Sequence, residues 1–311
     1  MKILFTSDLH GEISLYHQTL ETARVSASTI LILGGDLLPA LKKSGHYEDM
    51  IREQRSFIAT FLLPFFKRCL ERDLRLILLI PGNWDPAYPE IFVEPIEGII
   101  DLDRKSFRLE NGFEFIGYPF VPPTPFRPKE YEKMDDNEAP WPPQKNPSYV
   151  RPPGSSFKLE PIDPHEYLRR NGTIAEDLEK VSRGKDGRKS IWVMHSPPWG
   201  TNLDVISGGQ SVGSRSIRRF IETSQPLLTL HGHIHESPRL SGKYADRIGN
   251  TLCINAGQLL SKDEGFPRLQ GVIFDLNNPE KTLIHTNFDG LVKSHRNDGF
   301  VKSSRCKARK N

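Results

Sequence analysis

The chain has 311 residues, 37% hydrophobic and 26% charged, enough for one large domain or two ordinary ones and too apolar for wholesale disorder. Its 42 Lys+Arg against 39 Asp+Glu leave +3, which makes no case for a global nucleic-acid or membrane partner. The charge is uneven: residues 293–311 hold seven Lys/Arg and one Asp, or +6, so residues 1–292 carry −3.

In chain order, residues 2–5, 30–33 and 74–80 read as buried strands, short β-branched and Leu-rich runs bounded by turn residues. Between them, helical spacing marks 13–25 and a longer stretch, 47–70, with apolar Met50, Ile51, Phe57, Ile58, Phe61 and Leu62 and an expected kink at Pro64. This β-α-β-α-β opening favours a layered α/β domain. Asn111-Gly112, between 108–109 and 113–117, predicts a hairpin. The pattern then stops. Thirteen of the 25 prolines lie from Pro119 to Pro164, with an acidic patch at 135–138, and so long a stretch inside a domain is functional or disordered. Its Phe120, Phe126, Tyr131, Trp141 and Tyr149, with Arg127, Lys129 and Arg151, fit a surface loop that buries its aromatics; the same composition could stack a nucleobase. The expected role is a cap that shapes the active site. A helix over 165–182, interrupted at Asn171-Gly172, precedes strands at 190–194, 227–230, 251–254, 272–276 and 281–287, with a helix at 214–223.

Cys69, Cys253 and Cys306 are scattered and odd in number, which excludes a disulfide framework or a CxxC metal knuckle. The N-terminal MKILFTSDLHG lacks the apolar region of a signal peptide, and the longest apolar run, 76–81, is too short for a bilayer. A soluble cytoplasmic protein is expected: residues 1–292 as a single domain with an insertion at 119–164, and 293–311 as a basic disordered tail.

Polar residues fall at the strand ends. The first strand runs into Asp8-Leu9-His10, the second into Gly34-Gly35-Asp36, the third into Gly82-Asn83. Later strands end at His195 and at His231-Gly232-His233-Ile234-His235. Ligand sites in open α/β sheets form outside the carboxyl ends of strands. These are hard and borderline metal ligands without a thiolate. Asp8 and His10, like His233 and His235, are two apart, so in an extended segment each pair points to one side. Each piece alone has an ordinary reading, as a turn carboxylate or a core histidine. The ordered set DxH, GD, GN, H, GHxH does not.

That set, with the segments FTSDLHGE, LGGDLL, PGNWD, MHSPPWG and HGHIHE, resembles the calcineurin-like metallophosphoesterase superfamily, over roughly residues 1–290. Ile254-Asn255-Ala256-Gly257-Gln258 is similar to the turn that follows the last histidine pair in that family. The stretch from HSPP to GHIHE is similar to its phosphodiesterase-like branch. The resemblance implies a four-layer αββα sandwich of two mixed sheets around a dinuclear centre. Carried over by position, Asp8, His10 and His235 would hold one metal, and Asn83, His195 and His233 the other. Asp36 would bridge, and Asp36, Asn83 and His10 would carry the catalysis. Two divalent ions of Mn, Fe or Zn type are implied, with a metal-bridging hydroxide as nucleophile. Such a site carries about +1, suited to an anionic phosphate ester. The substrate would be a small phosphate ester or nucleotide, with nucleic acid and membrane not expected.

One position departs from the family. Many members read Gly-Asn-His-Asp/Glu, where the His polarises the phosphate or protonates the leaving group; here Trp84 follows Asn83. Indole donates one N–H and cannot act as an acid, which argues for diesters over monoesters with poor leaving groups. Asp85 then loses its role of orienting that histidine. Trp84 reads equally as packing over the site or as a stacking surface. Ser214 is expected to cap a helix carrying Arg215, Arg218 and Arg219; a phosphate could bind its N-terminus, or the arginines could equally be a solvated basic face. The alternative function is a scaffold of the same fold that has lost activity, although all seven ligands are present. A DNA-repair type of nuclease ranks lower because of Trp84.

Overall fold

The structure is a computed structural model that describes residues 1–40, 46–137, 139, 141–152, 159–258 and 267–287. The predicted basic tail, 293–311, lies outside them, as do Glu138, His295 and Cys306. The first half comprises β1 (Lys2–Thr6), α1 (Ile13–Ser26), β2 (Ile30–Gly34), α2 (Tyr47–Phe57), α3 (Leu63–Arg72), β3 (Leu76–Ile80), β4 (Ile99–Asp101), β5 (Ser106–Arg108) and β6 (Glu114–Tyr118). There follow β7 (Ser148–Val150), β8 (Glu160–Ile162), α4 (Pro164–Arg170), α5 (Ile174–Val181), β9 (Ser190–Met194), α6 (Arg215–Ser224) and β10 (Leu228–His231). The chain continues through α7 (Ser237–Ser241), β11 (Ala245–Ile248), β12 (Thr251–Asn255), β13 (Val272–Asp275), α8 (Pro279–Thr282) and β14 (Ile284–His285).

Two six-stranded mixed sheets result, ordered β14-β13-β1-β2-β3-β4 and β11-β12-β10-β9-β6-β5. In the first, β1 through β4 run parallel and β13 pairs antiparallel with β1. In the second, β6, β9, β10 and β12 run parallel, with β5 and β11 antiparallel at the edges.

Strand alternation decides which face goes where. Ile3, Phe5, Ile30, Ile32, Leu78 and Ile80 of the first sheet meet Phe115, Ile191, Val193, Leu228 and Leu230 of the second in a core between the sheets. The intervening residues Leu4, Leu31, Leu33, Ile77 and Leu79 face outward onto Leu15 and Tyr16 of α1 and Phe65, Phe66 and Cys69 of α3. On the far side, Ile116, Tyr118, Trp192 and Met194 pack under Ile174 and Leu178 of α5 and Ile217, Phe220 and Ile221 of α6. Both faces of each sheet are therefore apolar, which is why the strands read as continuous hydrophobic runs. The layers are helix, sheet, sheet, helix, as the resemblance implied.

Pro64 has the expected effect in a particular form. It sits in the first turn of α3 and has no N–H, so the helix widens over Ile58–Leu62 and Leu63 N–H bonds to Ile58 O. The end of the chain differs from expectation. Only Ile284–His285 is strand within 281–287, because Pro279 starts a helical turn that runs to Thr282. The Pro-rich segment is structured where described: Phe120 and Tyr131 join the core under α5 and α6, and β7 and β8 form an antiparallel pair. Among the described residues no helix is long and apolar enough to cross a membrane.

Candidate metal centre

Loops leaving β1, β2, β3, β9 and β10 converge at one end of the sandwich. Asp8, His10 and Asp36 have φ of 59°, 45° and 52°, and His233 has 67°. Four of the seven described non-glycine residues with left-handed backbone are thus predicted ligands. Such backbone costs about 1–2 kcal/mol per residue and marks positions the surrounding structure enforces. The i, i+2 pairs do converge, but through left-handed turns rather than the extended segments expected from sequence. The first two loops run side by side, with Asp8 N–H on Gly35 O and His10 N–H on Asp36 O, both 2.9 Å.

Two groups form, Asp8, His10, Asp36 and His235, and Asp36, His195 and His233, each with its ligand atoms within 4.8 Å of one another. Asp36 belongs to both: its Oδ2 lies 3.7 Å from His10 Nε2 and 3.4 Å from His195 Nε2. His10 Nε2 and His235 Nε2 are 3.2 Å apart, and His235 Nε2 is 3.2 Å from Asp8 Oδ1. Nitrogens that share an ion at about 2.0–2.1 Å lie about 3.0–3.4 Å from each other. Asn83 Oδ1 and Nδ2 and His195 Nε2 are buried without a hydrogen-bond partner. Orphans of this kind cost about 1–3 kcal/mol each unless something else meets them. The residues present therefore fit divalent metal, and the N/O donor set without thiolate suits Mn²⁺, Fe or Zn²⁺.

Electrostatics point the same way. Burial alone would raise the Asp8 and Asp36 carboxyls, yet the surrounding histidines hold both below the usual range. Burial opposes charge on His195 too, but Asp36 and Asp8 outweigh it and hold its pKa up to about 9. Burial pushes His10 down to about 4, and burial with the neighbouring His195 takes His233 to about 3. Two buried carboxylates thus stay ionised and demand positive charge.

Supporting contacts fix each ligand. Gly34 O, 2.8 Å from His195 Nδ1, sets the tautomer that leaves Nε2 for a metal. Trp84 N–H donates to Asp36 Oδ1 at 2.8 Å, and His233 N–H donates to both Asp8 oxygens at 3.0 and 3.1 Å. Close approach requires glycine at two positions. A Cβ on Gly82 would lie 2.2 Å from Asp36 Oδ1, and one on Gly232 would lie 2.0 Å from Ser7 Oγ. Asn255 Nδ2 donates to Leu203 O and Ile234 O, and so ties the GHxH loop to the loop after β9.

Asp85 has a use that sequence did not show. Its buried carboxylate accepts N–H bonds from Leu37, Leu38 and Gly82, clamping the β2 and β3 loops together. Burial, with Asp36 nearby, pushes this carboxyl up to about 7 against those three donors. Sequence reasoning missed Gln54, which reaches from α2 to Pro39 O, Trp84 O and Ala87 N–H. Asp204, which the sequence shows only as part of the stretch from HSPP to GHIHE, closes the loop after β9 by accepting from Gly200, Thr201 and Gly213 N–H.

Of the two readings of the helix with Arg215, Arg218 and Arg219, one is excluded. The N-terminus of α6 is not open to phosphate, because Asp135 from the Pro-rich segment occupies it, accepting from Ser214 Oγ, Arg215 N–H and Ser216 N–H. Ser214 does cap that helix, with its Oγ on Ile217 N–H. His231 is buried and bonded at both ring nitrogens, away from the ligand role. Glu12 caps α1 through Ser14, and His285 packs against Tyr244 with its Nε2 near Ala256 O.

Several solved structures share this fold. One aligns at TM-score 0.58 with 19% identity, over 92% of this chain and 98% of that one. A protein of Thermus thermophilus aligns at 0.52 with 17% identity, over 92% and 98%. A dimetal phosphatase from Danio rerio aligns at 0.50 with 11% identity, over 88% and 91%. At such identities the likeness speaks for the fold alone. No curated protein sequence matches significantly. The Calcineurin-like phosphoesterase family matches residues 1–237. The chain belongs to that family of metal-dependent phosphoester hydrolases.

Proposed function

We propose that the protein is a phosphodiesterase acting on small phosphate esters or nucleotides at a two-ion centre. Asp8, His10 and His235 serve one ion, Asn83, His195 and His233 the other, and Asp36 both. The observation that carries this reading is the single Asp36 oxygen facing His10 on one side and His195 on the other. When bound, the ions would supply Lewis-acid polarisation of the phosphoryl group and a water of lowered pKa.

The chain's own contributions are positional. Trp84 N–H holds Asp36 Oδ1, so that Oδ2 faces both histidine groups. Asn83 has both amide atoms buried without a partner, so its Oδ1 is free for an ion and its Nδ2 for a phosphoryl oxygen. His10, Asp36 and Asn83 lie nearest the reacting group in this reading. Trp84 supplies no proton to a leaving group, which favours diesters whose leaving groups need none. Residues 1–292 would form one catalytic unit, with 119–164 as its cap. Cys69 and Cys253 are free and buried, which fits a reducing, cytoplasmic setting.

The test compares bis-p-nitrophenyl phosphate with p-nitrophenyl phosphate in Mn²⁺, Zn²⁺ or chelator. Turnover of the diester with metal, its loss on chelation and a slower monoester rate are expected. No turnover with any metal would replace the enzyme reading with that of a binding scaffold. Faster monoester hydrolysis would overturn the diester preference.

A further inference from the structure

Five aromatics of the Pro-rich segment were open to two uses, and the structure separates them. Phe120 and Tyr131 are buried in the core under α5 and α6. Tyr149 stacks on Tyr47 at 5.0 Å, and Trp141 packs on His165 at 4.4 Å. Phe126 is different: 39% exposed, it is the one aromatic among the exposed large hydrophobics of the described residues. Its ring lies 5.2 Å from the half-buried indole of Trp84, tilted by 55°. Trp84 is itself fastened to the candidate centre by its N–H on Asp36 Oδ1, and from behind by Gln54 on its carbonyl at 2.7 Å.

An exposed Phe on a proline-rich loop would ordinarily be a mobile tip. This one is anchored. Phe126 N–H bonds to Thr124 Oγ1 at 3.1 Å, and Thr124 donates through both N–H and Oγ1 to Glu132. Lys129 Nζ closes the clamp on Glu132 at 2.7 Å and Thr124 O at 2.9 Å, and the Lys129 and Glu132 side chains are both fully buried. A buried ion pair is a poor source of stability, because desolvation offsets its attraction. Its effect here is to hold one loop geometry, with the Phe126 ring presented beside Trp84.

We propose that Trp84 and Phe126 form an aromatic wall beside the metal centre that stacks a planar aromatic ester group of the substrate. Resting on the phosphodiesterase reading, this names the substrate class: diesters in which one ester group is a nucleobase-bearing or aryl alcohol. Stacking on an aromatic side chain is worth about 1–3 kcal/mol, or roughly fivefold or more in affinity. Apolar contact with two rings of fixed position gives preference for flat groups without reading their edges.

The test is calorimetric binding of adenosine 5′-monophosphate, phenyl phosphate and ribose 5-phosphate to the Mn²⁺-loaded protein. Ring-bearing ligands are expected to bind at least about fivefold tighter than ribose 5-phosphate. Phe126→Ala, which leaves only Trp84 of the wall, should narrow that gap, and Phe126→Tyr should keep it. Preference for adenosine 5′-monophosphate alone would assign the wall to nucleobases, and preference for both ring ligands to aryl groups generally. Equal affinities in the wild type, or a gap of unchanged size in Phe126→Ala, would overturn the proposal. Phe126 lies at the surface, so the Ala variant is expected to fold, and its far-ultraviolet spectrum and melting point check this. Hydrolysis of bis-p-nitrophenyl phosphate without any ring preference would sink the wall alone. A ring preference without hydrolysis would sink the phosphodiesterase reading alone.

Discussion

Trp84 and Asp85 show how neighbouring residues can be read unequally from sequence. The chemical limit of Trp84 was visible at once, since indole cannot give up a proton at neutral pH. By position, Asp85 reads only as a residue without a histidine to orient. Its partners are the N–H groups of Leu37, Leu38 and Gly82, and backbone donors carry no signature in a sequence. Gln54 and the contacts of Asp204 were illegible for the same reason, whereas the candidate ligands Asp8, His10, Asp36, Asn83, His195, His233 and His235 were legible through their side-chain type and place after apolar strands. Trp84→His should restore a group able to protonate a leaving oxygen, and general acid catalysis contributes about 10²–10⁴-fold. The p-nitrophenyl phosphate rate is expected to rise at least about tenfold, with diester hydrolysis changed less. A monoester rate equal to wild type would show that position 84 has no bearing on leaving-group chemistry. With Asp85 already committed to three backbone donors, the new imidazole would lack that carboxylate as an orienting partner.

At the scale of elements, what was legible was what is apolar in an unbroken run or at helical spacing. Strands β1, β2, β3, β9, β10, β12 and β13 read as short apolar runs, and helices α1, α2, α3, α5 and α6 carry enough apolar residues to show a helical period. Elements β4, β7, β8, β11, α7 and α8 have three to five residues each, and polar residues or proline interrupt every one, so neither an apolar run nor a helical period emerges. The Pro-rich segment was unreadable for a further reason: its order comes from tertiary partners. Asp135 is the clearest case. Its carboxylate sits where the dipole of α6 and the first N–H groups favour an anion, so the segment is tied down by the same physics that had suggested a phosphate site. Asp135→Ala removes that anion while Ser214 still caps the helix. A loss of about 1–2 kcal/mol is expected, read as a fall in the denaturation midpoint with an unchanged slope. Metal-dependent diester turnover should persist, because Asp135 touches no candidate ligand. An unchanged midpoint would mean that the segment is held by its buried aromatics alone.

For the whole molecule, the position of the site between two sheets has a thermodynamic consequence. Asp8, His10, Asp36 and Asn83 leave strands of the first sheet, whereas His195, His233 and His235 leave strands of the second. Across the junction the protein itself offers Asp8 to His233 N–H and Gly34 O to His195, while Asn83 and His195 Nε2 stay unmatched. An ion bound here would therefore cross-link the two halves of the sandwich as well as prepare a reaction. Binding only to the folded state adds about 2.7 kcal/mol at a free concentration 100 times the dissociation constant. For a chain of this size each kcal/mol moves the melting point by about 2 °C, so saturating Mn²⁺ should raise it by about 5 °C over chelated protein. Asp36→Asn exchanges the shared carboxylate for a weak neutral ligand and should abolish both the increment and diester turnover. An increment that survives in Asp36→Asn would place the metal elsewhere. Loss of turnover with a retained increment would show that Asp36 acts in the reaction without holding the ion.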